Sequence, residues 1–313
     1  MFGQANTRAM LLLGLVMVFW AGNSIVGRAV AGDIPPLTLA FVRWTGALAI
    51  LAPFAIRHVR RDRAELQRGW KAVLLLGLLG IAAFNALLYS GLQFTTATNA
   101  LLLQAAIPTL VLVFDRLFHG VRSGGWQIAG TIGSTIGVLV IVFRGDPERA
   151  LALDLGAGDA LVLVSVVVWA LYTVFLRLRP AVHPTSFVAA TFAVGVVAMA
   201  PLAAWEWAQG LRIVWSTGTL LAMAYVCILP SLVSYFIYNH AAAQIGPARA
   251  GQAITLLPVF GALLSAVLLG EILHWYHAAG LVLICLGIAL GLLALRKHQA
   301  GGAPGGAPLE REL

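Results

Sequence analysis

Apolar residues in this chain are gathered into blocks about as long as a helix needs to cross a bilayer, roughly 20 residues. Ten blocks are read, at 9–30, 37–57, 70–92, 96–115, 125–143, 157–178, 184–206, 217–240, 247–270 and 276–296. Unbroken runs such as Leu161 to Leu171 exclude the alternating polarity of a membrane β-barrel. The 313 residues are 60% hydrophobic and 10% charged, a composition that hydrocarbon can solvate and water cannot. The first block has no small-residue cleavage site and nine more follow it, so it is read as a span and not a signal peptide. The expected fold is an all-α integral membrane protein of ten transmembrane helices.

The net charge of +8 carries its information in its placement. With the N-terminus inside and sides alternating, the inner face holds Arg8, the run from Arg57 to Lys71, Arg116, Arg122, Arg177, Arg179, Arg249, Arg296, Lys297 and Arg311. The outer face holds only Arg28, Arg144, Arg149 and Arg212, and Arg43 falls within a span. Basic residues are retained in the cytoplasm, so both termini are expected there, in a bacterial-type inner membrane. Orientation accounts for the excess, and no nucleic-acid partner is expected. Cys227 and Cys285 lie in spans as small apolar residues, and the seven histidines lack ligand spacing. No metal or cofactor is expected. There is no phosphate-binding GxxxxGK[ST] loop and no nucleophile–base pair, so neither an ATP-driven pump nor an enzyme is indicated.

The sequence also repeats. Pro108, Gly120, Gly130 and Gly137 recur 150 residues later as Pro258, Gly270, Gly280 and Gly287. With a shift of 149, Trp20-Ala21 falls on Trp169-Ala170, Arg28 on Arg177, Pro35 on Pro184 and Tyr89 on Tyr238. Residues 8–145 and 150–297 therefore read as two five-helix repeats, and 298–313, rich in Gly and Pro, as a disordered cytoplasmic tail. Five spans is an odd number, so the second repeat enters the bilayer inverted. Inverted repeats suit alternating access, with a substrate site near the midplane where the halves meet.

Several segments carry a family resemblance: FWAGNSIVGR (Phe19–Arg28), PPLTLAFVRW (Pro35–Trp44), VWALYTVFLR (Val168–Arg177) and PVFGALLSAVLLGE (Pro258–Glu271). The chain resembles the drug/metabolite transporter superfamily over about residues 8–297, specifically its ten-helix EamA-type members and, among them, the YddG-like amino-acid exporters. The resemblance implies a central cavity lined by the first, third, fourth, sixth, eighth and ninth helices. Members often carry Gly-Glu after the fourth helix; here that place is His119-Gly120-Val121, and the pair survives only as Gly270-Glu271. Glu271 is accordingly given no essential role.

Polar stripes on those helices supply the candidate substrate-binding residues. Trp20, Asn23, Ser24 and Gly27 share one helical face. Trp169, Tyr172 and Thr173 form the corresponding face of the sixth helix, and Asn85 and Tyr89 share a face of the third. Ser231, Ser234, Tyr235, Tyr238 and Asn239 stripe the eighth; Gln252 and Thr255 lie on the ninth, and Thr95, Thr98 and Asn99 open the fourth. Such groups either bond helix to helix or line a wet cavity whose aromatics offer flat walls and whose amides orient polar groups. Arg43 stands apart, since a cation inside a span costs roughly 2.5–3.5 kcal/mol on insertion scales and its repeat equivalent is Phe192. It either snorkels to the interface or serves as a gate or as a counter-charge for a substrate carboxylate. Pro108 and Pro258 are read as kinks, either hinges or static bends. Trp205, Trp207, Trp215 and Trp275 sit near span ends as interface anchors.

No carboxylate falls in the middle of a span, unlike the intramembrane Glu with which the four-helix small multidrug relatives exchange protons. The reading is a secondary exporter of neutral or aromatic amino acids or related small metabolites. Its partners are that small molecule and membrane lipid, with the oligomeric state left open and a monomer compatible with the plan. Two alternatives stay open: a multidrug or other metabolite carrier on the same fold, and a non-transporting membrane sensor or scaffold.

Overall fold

The computed structural model describes residues 4–120, 125–152, 156–238 and 256–301, and among them every regular element is helical. The first and second helices are Gln4–Ala29 and Pro36–Arg61. The third span is Trp70–Gly91, and the fourth is divided into Ala97–Gln104 and Ile107–His119. The fifth to seventh helices are Gly125–Val142, Ala157–Phe175 and Pro184–Ala208. The eighth span is Thr217–Tyr238, and the ninth and tenth helices are Leu257–Leu269 and Trp275–Gly301. Seven of these are long and apolar enough to cross a membrane, and three shorter apolar helices accompany them. Val197 and Val267 stand 73% and 79% exposed, an arrangement that requires lipid as solvent. Trp205, Trp207, Trp215 and Trp275 also face outward, as expected of interface anchors. The chain is an all-α, multi-pass membrane protein of about ten helices.

Contacts follow the repeat. The second helix packs on the seventh and the fifth on the tenth, so each pairs with its own equivalent; the first packs on the ninth as the sixth packs on the fourth. Local geometry repeats as well. Ile107–His119 and Leu257–Leu269 each run 13 residues, carry proline in the first turn and end on a left-handed glycine, Gly120 and Gly270, both at φ +65°. Glycine tolerates that φ without strain, which suits it to close a helix.

The third and eighth spans share an irregularity. Each contains one π-helical segment, Leu78–Ala83 and Ile228–Val233, placed 150 residues apart. In the third, a Cβ added to Gly80 would lie 2.6 Å from the Tyr172 ring, so the aromatic packs directly on backbone. In the eighth, Pro230 has no N–H to give the ladder. π segments carry one extra residue per turn and re-aim the side chains beyond them. Asn85 lies two residues beyond the first segment and Ser234 one beyond the second, and Ser231 lies within the second.

Small residues bring the fifth and tenth helices into backbone contact. A Cβ on Gly280 would lie 2.4 Å from Ile141 Cγ1 and 2.8 Å from the Gly137 carbonyl oxygen. With no hydrophobic drive between helices in lipid, such close approach is what holds them. Gly280→Ala is expected to cost about 1–3 kcal/mol in a detergent melt. Gly14→Ala, where a Cβ meets nothing within 4 Å, should leave the midpoint unchanged. Equal shifts would contradict this packing.

Candidate functional site

The site is built around Arg43. It lies about two turns into the second helix, within a span, yet is only 5% exposed, so it does not snorkel to the interface. Its Nε donates to Ser231 Oγ at 2.9 Å; its Nη1 donates to Asn85 Oδ1 at 2.8 Å, Asn23 Oδ1 at 3.0 Å and Tyr89 OH at 3.1 Å. Four spans thus converge on one guanidinium. Each acceptor is in turn held: Tyr89 OH donates to Asn23 Oδ1, Asn85 Nδ2 to the Ile81 carbonyl, and Ser231 Oγ to the Val226 carbonyl. The last two carbonyls lie in or beside the π segments, so the backbone irregularity fixes the side chains that hold Arg43. The guanidinium carbon also sits 4.5 Å from the centre of the Trp44 ring, a favourable cation–π contact. Among the described residues no carboxylate pairs with Arg43.

Beside Arg43 lies a central cavity of about 70 Å³. Of the residues expected to bind substrate, Trp20, Asn23, Asn85, Trp169 and Tyr235 line it. Tyr89 supports the wall through Asn23, and Tyr172 packs on Trp169 with ring centres 5.1 Å apart. Tyr238 packs on Trp20 with tilted rings whose centres are 5.5 Å apart. Asn239 and Gln252 lie outside the described residues. Trp44, Phe84, Leu88, Gln104, Ile107 and Leu257 complete the lining and were not anticipated. Gln104 had a signal, being a lone amide in the apolar run Leu101–Ile107; the apolar residues had none, since apolar side chains also cover the lipid-facing and packed faces of these helices.

Asn99 belongs to a separate buried cluster. Its Nδ2 donates to Asp159 Oδ1 at 3.4 Å, which also accepts from the Thr95 hydroxyl, and its Oδ1 lies 2.9 Å from His277 Nε2. An amide oxygen only accepts, so His277 carries its proton on Nε2, while Nδ1 accepts from the His274 N–H. Nearby, Glu271 accepts from the Ala97 and Thr98 N–H groups at 2.8 and 2.9 Å. The acid expected to have no essential role therefore caps the fourth helix. Glu206, just 2% exposed, does the same for the second helix, accepting from the N–H groups of Leu37 and Thr38 and from the Thr38 hydroxyl. In each case a carboxylate meets the positive end of a helix. Arg28 joins this end of the bundle by donating to the carbonyls of Leu92 and Gln93.

Pro108 and Pro258 lie in the first turn of their helices, where a missing N–H costs nothing. The fourth span does break just before Pro108: Ala105 and Ala106 bond back three residues, to Leu102 and Leu103. The discontinuity is real, and proline starts the second piece without interrupting it.

The sequence pattern of the EamA-like transporter family matches residues 7–143 and again 156–293. The chain belongs to this family. The Bacillus subtilis protein YyaM, described as an uncharacterized transporter, is 25% identical over 92% of this chain and 95% of its own. A Salmonella typhimurium protein described as a probable amino-acid metabolite efflux pump is 27% identical, covering 93% and 97% respectively. A solved crystal structure with 20% sequence identity covers 93% of this chain and 99% of its own at a TM-score of 0.59, a likeness of fold. This EamA-family chain thus places a buried arginine and an aromatic-walled cavity among the helices of a transporter fold.

Proposed function

We propose that this chain is an inner-membrane exporter of neutral or aromatic amino acids or related small metabolites, working by alternating access with both termini in the cytoplasm. The observation that carries the reading is the central cavity, where Trp20, Phe84 and Trp169 form flat apolar walls while Asn23, Asn85 and Gln104 supply polar groups. That division suits a small molecule with one flat apolar part and one polar head. The efflux description of the Salmonella relative points the same way. At about 70 Å³ the cavity is far below the roughly 300–1,000 Å³ of sites that enclose drug-sized ligands. Loading therefore requires helices to part, as a rocking cycle between inverted repeats provides. Prolines 108 and 258, each at the head of a short helix ending on a left-handed glycine, are the proposed hinges.

Counterflow in proteoliposomes with a mixed panel of labelled amino acids and organic cations tests this. Accumulation of phenylalanine, tryptophan or leucine against unlabelled internal substrate is expected. Flux of lipophilic cations alone would shift the assignment to multidrug export, and no flux of any compound would leave a non-transporting membrane protein.

A further inference from the structure

Resting on that reading, we propose that the substrate's carboxylate is the group the central site recognises, and that it docks on Arg43. The argument is one of donors and acceptors. A guanidinium has five N–H groups. Nε gives its one to Ser231 and Nη1 shares its pair among Asn23, Asn85 and Tyr89. Nη2 has no hydrogen-bond partner among the described residues, and Arg43 is a wall of the cavity. Trp44 Nε1, on the ring beneath the guanidinium, is likewise a buried donor with no acceptor among them. Among the described residues this wall therefore carries N–H groups on Nη2 that lack an acceptor, and one full positive charge.

The charge is also uncompensated. Among the described residues every oxygen bonded to Arg43 is neutral and the cavity lining contains no acid. A cation deep in a membrane protein is tolerated when something answers its charge. Neutral oxygens orient this one and leave the charge to be answered by a ligand. A carboxylate offers only acceptors, and arginine binds it through two parallel bonds when two N–H groups are free. Nη2 alone has open N–H groups, so a carboxylate takes a charge-assisted bond from it, and the parallel pair forms when Nη1 or Nε releases a neutral oxygen to provide the second N–H. The substrate's ammonium finds no equivalent, since the lining offers it amide oxygens and aromatic faces and no counter-charge. The carboxylate is therefore the required group and the ammonium the dispensable one.

Four compounds of one shape separate these demands: phenylalanine, phenylalaninamide, phenethylamine and 3-phenylpropionate. Their affinities for the full-length protein in detergent are read by calorimetry, and their ability to drive counterflow is read in proteoliposomes. Phenylalanine and 3-phenylpropionate are expected to bind within a few-fold of each other, with the amide and the amine weaker by roughly 10- to 100-fold. In Arg43→Gln the acid and the amide should bind alike, while Arg43→Lys, keeping the charge without the planar guanidinium, should retain part of the preference. If phenylalaninamide binds the wild-type protein as well as phenylalanine does, or if neither acid binds, the proposal is overturned, and neither result needs a folded variant. Carboxylate-dependent binding without counterflow would uphold the Arg43 site while removing the export reading. Counterflow of phenylalanine and its amide at equal rates would do the reverse.

Discussion

Arg43→Leu is expected to cut counterflow by at least about ten-fold while leaving the protein folded and monodisperse. Removing the partner of several buried polar groups usually destabilises, and here the geometry limits that cost. With the guanidinium gone, Tyr89 OH still donates to Asn23 Oδ1 at 2.6 Å, Asn85 Nδ2 still reaches the Ile81 carbonyl, and Ser231 Oγ still reaches the Val226 carbonyl. All four acceptors lose a bond from Arg43, but among the described residues only Asn85 Oδ1 is left with no other recorded partner. One unsatisfied buried acceptor costs about 1–3 kcal/mol, and leucine in place of arginine recovers roughly 2.5–3.5 kcal/mol of insertion cost. The two nearly cancel, so the effect falls on transport. Size-exclusion profile, thermal midpoint and counterflow measured on one preparation check this. A variant that keeps full transport and normal expression would remove any functional role from Arg43.

Glu206→Ala is the opposite kind of change, with its effect on the fold. The Glu206 carboxylate takes three hydrogen bonds at 2.7 to 2.9 Å from Leu37, Thr38 and the Thr38 hydroxyl, tying the end of the seventh helix to the start of the second. Thr38 is fully buried, so water does not replace what is lost. Bonds to a charged group contribute about 1.5–3 kcal/mol each, and they are not additive. A loss of about 3–5 kcal/mol is expected, read as a large drop in thermal midpoint and in folded yield. Glu206→Gln keeps an acceptor but forfeits the charge at the helix N-terminus, so it should fall between the two. Glu271→Ala is the internal comparison: it removes two bonds at a half-buried carboxylate and should cost less. Equal effects at both acids would mean that burial is not what sets the size of the loss.

These two residues show how far the sequence could be read. Arg43 drew notice as a charge inside a span whose repeat partner, Phe192, has none. Phe192 instead packs on Trp44 with ring centres 4.6 Å apart, so the position that lost its charge helps wall in the arginine that kept it. Glu206 gave no such sign. It lies at a span end, where acids are unremarkable, and its partners are 168 and 169 residues away. The helical faces of Trp20 and Asn23, of Asn85 and Tyr89, and of Trp169 were legible because they depend only on spacing along one helix. Asn99 shares their chemistry but turns to Asp159 and His277, a choice made by which helix stands opposite.

The sequence by itself determined the solvent, the secondary structure and the repeat. Apolar blocks of membrane length must satisfy their own backbone groups in hydrocarbon, and only helices do so within one segment. Matching landmarks 149 and 150 residues apart are likewise a property of order along the chain. Tertiary structure decided which polar groups meet. Arg43 gathers oxygens from the first, third and eighth spans, two of them aimed by π segments that no periodicity announces. Those contacts depend on the rotation and depth of each helix against its neighbours. Apolar faces all round a helix leave that register open, and close packing between specific side chains closes it.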